Sequence, residues 1–323
     1  PILPNVSKIS KWASYRISAT VMFLGMIPGL IWYLHRSKPD VLIVRMLTGP
    51  TILVVKLVRP QVKLLVSASG MPRPSALRNV LWPLVYGRAD GYIAAAPGVA
   101  RMISEISKIS ETDISILWEA VVDDHMLELA ELTPDHEWFS DGSRPVVMGL
   151  GRLTRQKDFV TLIRAFAKAR QSTCARLVIF GEGEDRAALE REVYRLNSQS
   201  VVDMPGFVNN PYSHFRNCTV FVLSSIWESS NHSLIEAQGV GVPSITTDCP
   251  SGQNEIAMDG ETALVVPVGD VDAMAEAIER LLTDQKQAKR LSVSAVKHSV
   301  RFRPEHVAKE WESKIYSLLG DTE

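Results

Sequence analysis

Along most of the 323 residues, short unbroken apolar runs alternate with stretches in which apolar residues recur every three or four positions. Unbroken runs are the signature of strands buried on both faces of a parallel sheet, and the spaced pattern is one face of a helix. In the first part, VLIV (41–44), VKLLVSAS (62–69), GYIAAA (91–96) and ISILWEA (114–120) read as strands. Between them TGPTILVVKL, ALRNVLWPLVYGRAD with its Pro83 kink, and PGVARMISEIS after Pro97 read as helices. TPDHEWFSDGSRP (133–145) is polar and turn-rich and is the candidate linker. The alternation then restarts with VVMGL, a GRLTRQKD loop, and FVTLIRAFAKAR, whose apolar positions 159, 160, 162, 163 and 166 share one face. RLVIF, VVDMPGFV, TVFVLSS and SITT read as further strands, with helices from 231–233 to Gly241, over 270–283 and over 304–319. The pattern predicts two α/β halves on open, mostly parallel sheets, divided as 1–134 and 135–303, with the C-terminal helix 304–323 packing back on the first half.

Composition agrees with a globular chain: 46% apolar and 22% charged residues leave ample core. Cys174, Cys218 and Cys249 are widely spaced and odd in number, which suits reduced thiols rather than disulfides or a zinc site. Charge is uneven. Residues 1–110 carry 14 Lys and Arg against three acids, a balance of +11, while the rest, 21 against 33, is −12. A basic, apolar first third suits an anionic bilayer surface or a lipid phosphate. Nucleic acid is disfavoured, because the bases are scattered among Leu, Ile and Val without interleaved aromatics. The uncharged run 17–34 reaches spanning length but is interrupted by Gly25, Pro28 and Gly29, so it reads as a buried or membrane-skimming helix.

Four stretches are candidates for chemistry. In GRLTRQKD, Gly151 lets the backbone approach a ligand while Arg152 and Lys157 project two cations at a strand's carboxyl end, where a diphosphate fits. A solvated loop whose bases pair with Asp158 or Glu182 is an equal alternative. Gly181-Glu182-Gly183 after RLVIF begins like a dinucleotide fingerprint, but the third glycine is replaced by Arg186, and the turn reads instead as lining a nucleoside pocket. Asp270 and Asp272 read as a helix cap and first-turn acid rather than a metal clamp, and His232 as a polar loop residue rather than a ligand. Glu228 and Glu236 flank a helix start rich in cap-forming residues, whose free N–H groups would meet an anion; on spacing alone, a solvated face is the commoner meaning of such a pair.

SSIWESSNHSLIEAQGVGVPSITTDCPSGQNEI, together with GRLTRQKD and FGEGED, resembles the donor-binding half of glycosyltransferase family four, retaining enzymes of the GT-B fold. The resemblance covers about residues 80–320 and is best over 146–270. It implies two Rossmann-like domains with parallel sheets facing a cleft, the first lacking its opening βα unit. It implies that Glu236 binds the nucleotide ribose and Glu228 lies near the donor sugar. Arg152 and Lys157 would hold the diphosphate with Gly151 and the helix start at Ser233 and Leu234, while Gly181 and the Gly206-Phe207-Val208 turn flank the base. The chain departs from the family at Ser229-Ser230-Asn231-His232, where the family has Gly-Phe-Gly or Gly-Leu-Pro-Asn, and at Ser69-Gly70, where a histidine is usual. The expected function is transfer of a sugar, with retention and without a metal or cofactor, from a UDP-linked donor to a saccharide or polyprenyl-linked acceptor in polysaccharide synthesis. The expected location is cytoplasmic and peripheral at the inner membrane face through the basic first domain, with no nucleic acid partner. A nucleotide-sugar-binding protein without turnover is the alternative; a Rossmann oxidoreductase is disfavoured.

Overall fold

The computed structural model describes residues 25–45, 48–70, 76–228, 230–249 and 256–320. Two compact units divide the chain. One takes residues up to Ala95, Val99–Ile116 and the chain from Glu312; the other takes Ala96–Gly98 and Leu117–Trp311.

The first unit holds four parallel strands, β1 (Val41–Val44), β2 (Lys63–Ala68), β3 (Gly91–Ala94) and β4 (Ile114–Ile116), in the spatial order β1-β2-β3-β4. Ile43 pairs with Leu65, Val66 with Tyr92 and Ile93 with Ser115. Helices α1 (25–37), α2 (Thr48–Val58), α3 (Ala76–Tyr86) and α4 (Pro97–Ser107) alternate with the strands. Asp90, one of the few acids of this region, accepts from the Leu64 N–H at 2.7 Å and from Lys56 Nζ at 2.5 Å, so it locks α2 to the β2–β3 turn. Of the apolar run 17–34, residues 17–24 lie outside the described residues, and 25–37 form α1, with Leu34 buried and Trp32 exposed. Among the described residues no helix is long and apolar enough to cross a membrane.

The predicted strand 114–120 is cut short after Ile116. Trp118 finds its apolar partner in the second unit, edge-on to Phe302 with centroids 5.5 Å apart, and the Val121 and Val122 N–H groups both donate to Phe302 O, at 2.9 and 3.2 Å. The expected linker 133–145 is likewise docked on the second unit. Phe139 is buried against His214 and Phe180, His136 Nε2 lies 3.0 Å from Asp203 Oδ2, and Asp141 pairs with Arg176 at 2.6 Å. Its polar residues pair with partners remote in sequence, which local composition does not reveal.

The second unit has six parallel strands: β5 (Val146–Leu150), β6 (Arg176–Phe180), β7 (Val202–Gly206), β8 (Val220–Leu223), β9 (Ser244–Thr247) and β10 (Leu264–Val266), ordered β10-β9-β8-β5-β6-β7. Met148 pairs with Val178 on one side and Phe221 on the other. Helices α5 (Asp124–Ala130), α6 (Glu137–Ser140), α7 (Phe159–Ala169), α8 (Arg186–Arg195), α9 (Pro211–Asn217), α10 (His232–Val240), α11 (Val271–Thr283), α12 (Gln285–Ser299) and α13 (Pro304–Leu319) complete it, the last running on into the first unit. There Leu318 and Lys314 stand where a Cβ on Gly91 would point, so the end of α13 packs on β3. The core lies where Phe159, Leu162 and Phe166 of α7 meet Leu177, Ile179 and Val222 of the sheet, all essentially inaccessible.

Asp270 caps α11, its Oδ1 accepting from the N–H groups of Asp272 and Ala273 at 3.0 Å each. Asp270→Ala is therefore expected to cost about 1 kcal/mol in a urea titration and to leave nucleotide binding unchanged. A metal-clamp role would instead abolish activity.

Candidate active site

The strand order places a switch point between β5 and β8, because the chain leaves β5 toward β6 on one side and returns to β8 on the other. The loops at the carboxyl ends of the strands flanking such a point are the usual ligand site of an open α/β sheet. Here those loops are 151–158 and 224–228, which fall in the two stretches singled out in the sequence.

Hydrogen bonds knit the two loops together. Ile226 N–H donates to Gln156 O at 2.8 Å, Gln156 Nε2 to Trp227 O at 2.9 Å, and Ser224 Oγ to Lys157 O at 2.7 Å. At the centre, Lys157 Nζ lies 2.6 Å from Glu228 Oε1, which also accepts from Ser225 Oγ at 2.6 Å. Ser225 is held in turn by Thr247, whose Oγ1 donates to Ser225 O. Glu228 is 5% exposed, so the ion pair is an internal one. Gly151 leaves room for it: a Cβ there would stand 2.9 Å from Lys157 Cε. Asp158 caps α7 from a left-handed conformation, and Glu182 pairs with Arg186. The two acids suggested as partners for the loop's bases are thus engaged elsewhere, and Arg152 is exposed with no ion-pair partner among the described residues.

Gly181 and Gly183 serve packing. Gly181 N–H donates to Gly206 O at 2.7 Å and Gly151 N–H to Phe180 O at 3.0 Å, drawing the ends of β5, β6 and β7 together. A Cβ on Gly181 would fall 2.0 Å from Gly151 O and one on Gly183 would fall 2.2 Å from Leu153 O. The glycines let the two loops cross at backbone contact, which accounts for their spacing without a dinucleotide. Beside them Phe207 is 79% exposed, whereas Val208 is buried, so of these two side chains only the phenyl ring is accessible.

Helix α10 begins within the expected range, with Asn231 as N-cap, and stops at Gly241 in a left-handed conformation (φ 88°). The buried Asn231 side chain makes no capping bond. Ser233 and Leu234 occupy the first turn, Leu234 fully buried. Glu236, one turn along, faces Tyr212 of α9 and His232 rather than the Lys157–Glu228 pair; burial pushes its carboxyl above the ordinary range, against the pull of His232 and a hydrogen bond from Tyr212. Ser229 lies outside the described residues, as do residues 71–75 beyond Ser69 and Gly70.

Sequence reasoning missed Tyr212, Ser225, Thr247 and Glu119, the last bonded to His232. Thr247 ends β9 and Ser225 lies two residues past β8, positions that mark polar residues as candidates; Glu119 and Tyr212 carry no local signal.

The second unit is thus a parallel α/β unit whose switch-point loops carry Arg152 and the Lys157–Glu228 pair. The sequence matches the family model for glycosyl transferases group 1 over residues 135–298, and the chain belongs to that family. It is 27% identical over 246 residues to the N-acetylgalactosamine-N,N'-diacetylbacillosaminyl-diphospho-undecaprenol 4-alpha-N-acetylgalactosaminyltransferase of Campylobacter jejuni, covering 76% of this chain and 64% of that protein. It is 28% identical over 260 residues to the lipopolysaccharide core biosynthesis glycosyltransferase LpsE of Rhizobium meliloti, covering 80% and 70%. The chain thus spans less than two thirds of the Campylobacter relative. Its fold is GT-B. A glycosyltransferase from Rickettsia africae superposes with a TM-score of 0.81 at 15% identity, over 99% of this chain and 85% of that one. Anabaena HepE, in a complex with UDP, gives 0.79 at 14%, over 91% and 82%.

Proposed function

We propose that this protein is a retaining glycosyltransferase that moves a sugar from a UDP-linked donor to a saccharide or polyprenyl-linked acceptor in polysaccharide or glycoconjugate synthesis. The observation that carries the reading is the bridge between the two switch-point loops, which ends in the Lys157–Glu228 pair, with Arg152 on the same loop exposed and without an ion-pair partner among the described residues. Breaking the sugar–phosphate bond leaves its electron pair on the diphosphate, while an acceptor oxygen bonds the sugar carbon from the face the phosphate leaves and passes its proton to the departing phosphate oxygen. Fixed donors at the departing phosphate lower that barrier most. Lys157, Arg152 and the N-terminus of α10 at Ser233 and Leu234 supply them. Glu236 binds the ribose, Glu228 aligns Lys157 and borders the donor sugar, and Phe207 covers the base; this chemistry calls for no metal or cofactor.

The donor assignment is also in keeping with the UDP complex of HepE, and the acceptor class with the undecaprenol-linked substrate in the name of the Campylobacter relative. The basic first third, with Leu57, Val80 and Leu84 exposed on α2 and α3, would hold the protein peripherally at the cytoplasmic membrane face.

The test is calorimetric titration with UDP-glucose, UDP-galactose, UDP-N-acetylglucosamine and GDP-mannose, followed by assay of sugar release. A UDP-sugar is expected to bind, and Glu236→Ala is expected to weaken it about tenfold or more, the loss of charge-assisted bonds to hydroxyls. Binding without turnover would favour a nucleotide-sugar-binding protein. No binding, with Glu236→Ala unchanged, would remove the reading.

A further inference from the structure

His232, the first residue of α10, has its Nε2 2.6 Å from Glu119 Oε2, and Ser230 Oγ donates to the same oxygen at 3.0 Å. Glu119 lies 113 positions earlier, on the segment that enters the second unit, so only the fold brings the pair together. The location is unusual for a cation. A helix N-terminus carries partial positive charge and repels an imidazolium, so a carboxylate partner is needed to offset it. Other charges also face the ring: Glu228 from the preceding turn and Glu236 one turn further along α10. Behind Glu236 stands Tyr212 of α9, with Asp123 of the α5 cap beyond it, and Lys157 is committed to Glu228.

We propose that His232 is a donor-binding residue, its Nδ1 hydrogen-bonding the diphosphate of the nucleotide sugar when the ring is protonated, with Glu119 positioning the ring through Nε2. This rests on the donor reading above. The carboxylate keeps a proton on Nε2, so in the neutral ring Nδ1 presents a lone pair that repels phosphate oxygens. Protonation turns Nδ1 into a donor, and no described residue bonds it otherwise. The Glu119 bond raises the titration of His232 above the ordinary histidine value, with burial acting in opposition. Affinity is therefore high below that titration and falls as pH rises through it. Diphosphate charge stabilises the imidazolium further, so binding takes up protons.

The experiment is calorimetric titration of the full chain with UDP-glucose from pH 6 to 9. Its phosphates hold constant charge over this range, whereas the terminal phosphate of UDP titrates near pH 6. The dissociation constant is expected to rise about tenfold across the range, the worth of one charge-assisted bond. At pH 7.5, heats in buffers of different ionisation enthalpy should report proton uptake. His232→Gln should flatten the profile near the pH 9 affinity and abolish the uptake. Glu119→Gln should move the fall to lower pH, which a merely structural role would not do. A flat wild-type profile, or His232→Gln with the wild-type slope, overturns the inference while the donor reading stands. If no nucleotide sugar of the panel binds at any pH, both fall.

Discussion

Lys157→Met is expected to lower the unfolding free energy by about 3–5 kcal/mol and to abolish sugar transfer. The two effects have one origin. Glu228 is almost wholly removed from solvent, and Lys157 and Ser225 are its described partners. Taking away the ammonium leaves a carboxylate in the interior with a single neutral donor, and an uncompensated internal charge costs far more than the pair contributes. The double variant Lys157→Met/Glu228→Gln removes the charge and should regain most of the stability, but none of the activity, because the cation that the proposed reaction places at the departing phosphate is still missing. Urea titrations of the three proteins, with sugar release assayed in parallel, separate the roles. A single-variant loss below about 1 kcal/mol would mean that the pair is solvated and unfit to organise a diphosphate.

Gly181→Ala is expected to cost more than about 4 kcal/mol, or to prevent accumulation of folded protein. The added carbon would sit 2.0 Å from Gly151 O, a backbone atom that cannot swing away, at a φ of +132° that alanine rarely adopts. Gly142→Ala is the control. Gly142 also has positive φ, at +60°, but opens on empty space, so it should lose only about 1 kcal/mol. Thermal unfolding of both variants isolates the collision from the backbone preference. Equal effects would show that the loops after β5 and β6 can part freely.

The strands were legible because parallel strands covered on both faces must be continuously apolar, as VFVL at β8 and GYIA at β3 are. Helix α12 was not, since QKQAKRLSVSAVKHS buries few of its side chains fully, among them Leu291 and Ala295, and its exposed Val293 and Val296 blur the period. Helices α5 and α9 are too short for a period to declare itself, although Asp123 and Asn210 cap them. Within the site, loop identities could be read because strand ends and helix caps are local features. Partners could not. Lys157 and Glu228 are 71 positions apart, and spacing offered a diphosphate or pairing with Asp158 or Glu182 as equal readings of the loop's bases. Family resemblance supplied roles for Glu228 and Glu236, but not the finding that Glu236 looks toward Tyr212.

The shared acceptor Phe302 O has a bearing on how the second unit is built into the chain. Its incoming segment at 121–122 and its outgoing segment at Phe302 are clasped by two N–H groups on one carbonyl. A module whose ends already meet requires little extra loop closure from its host, which is the condition under which modules are exchanged between proteins. That clasp makes the second unit a cassette: its switch-point loops can be inherited whole, while the first unit is free to diverge.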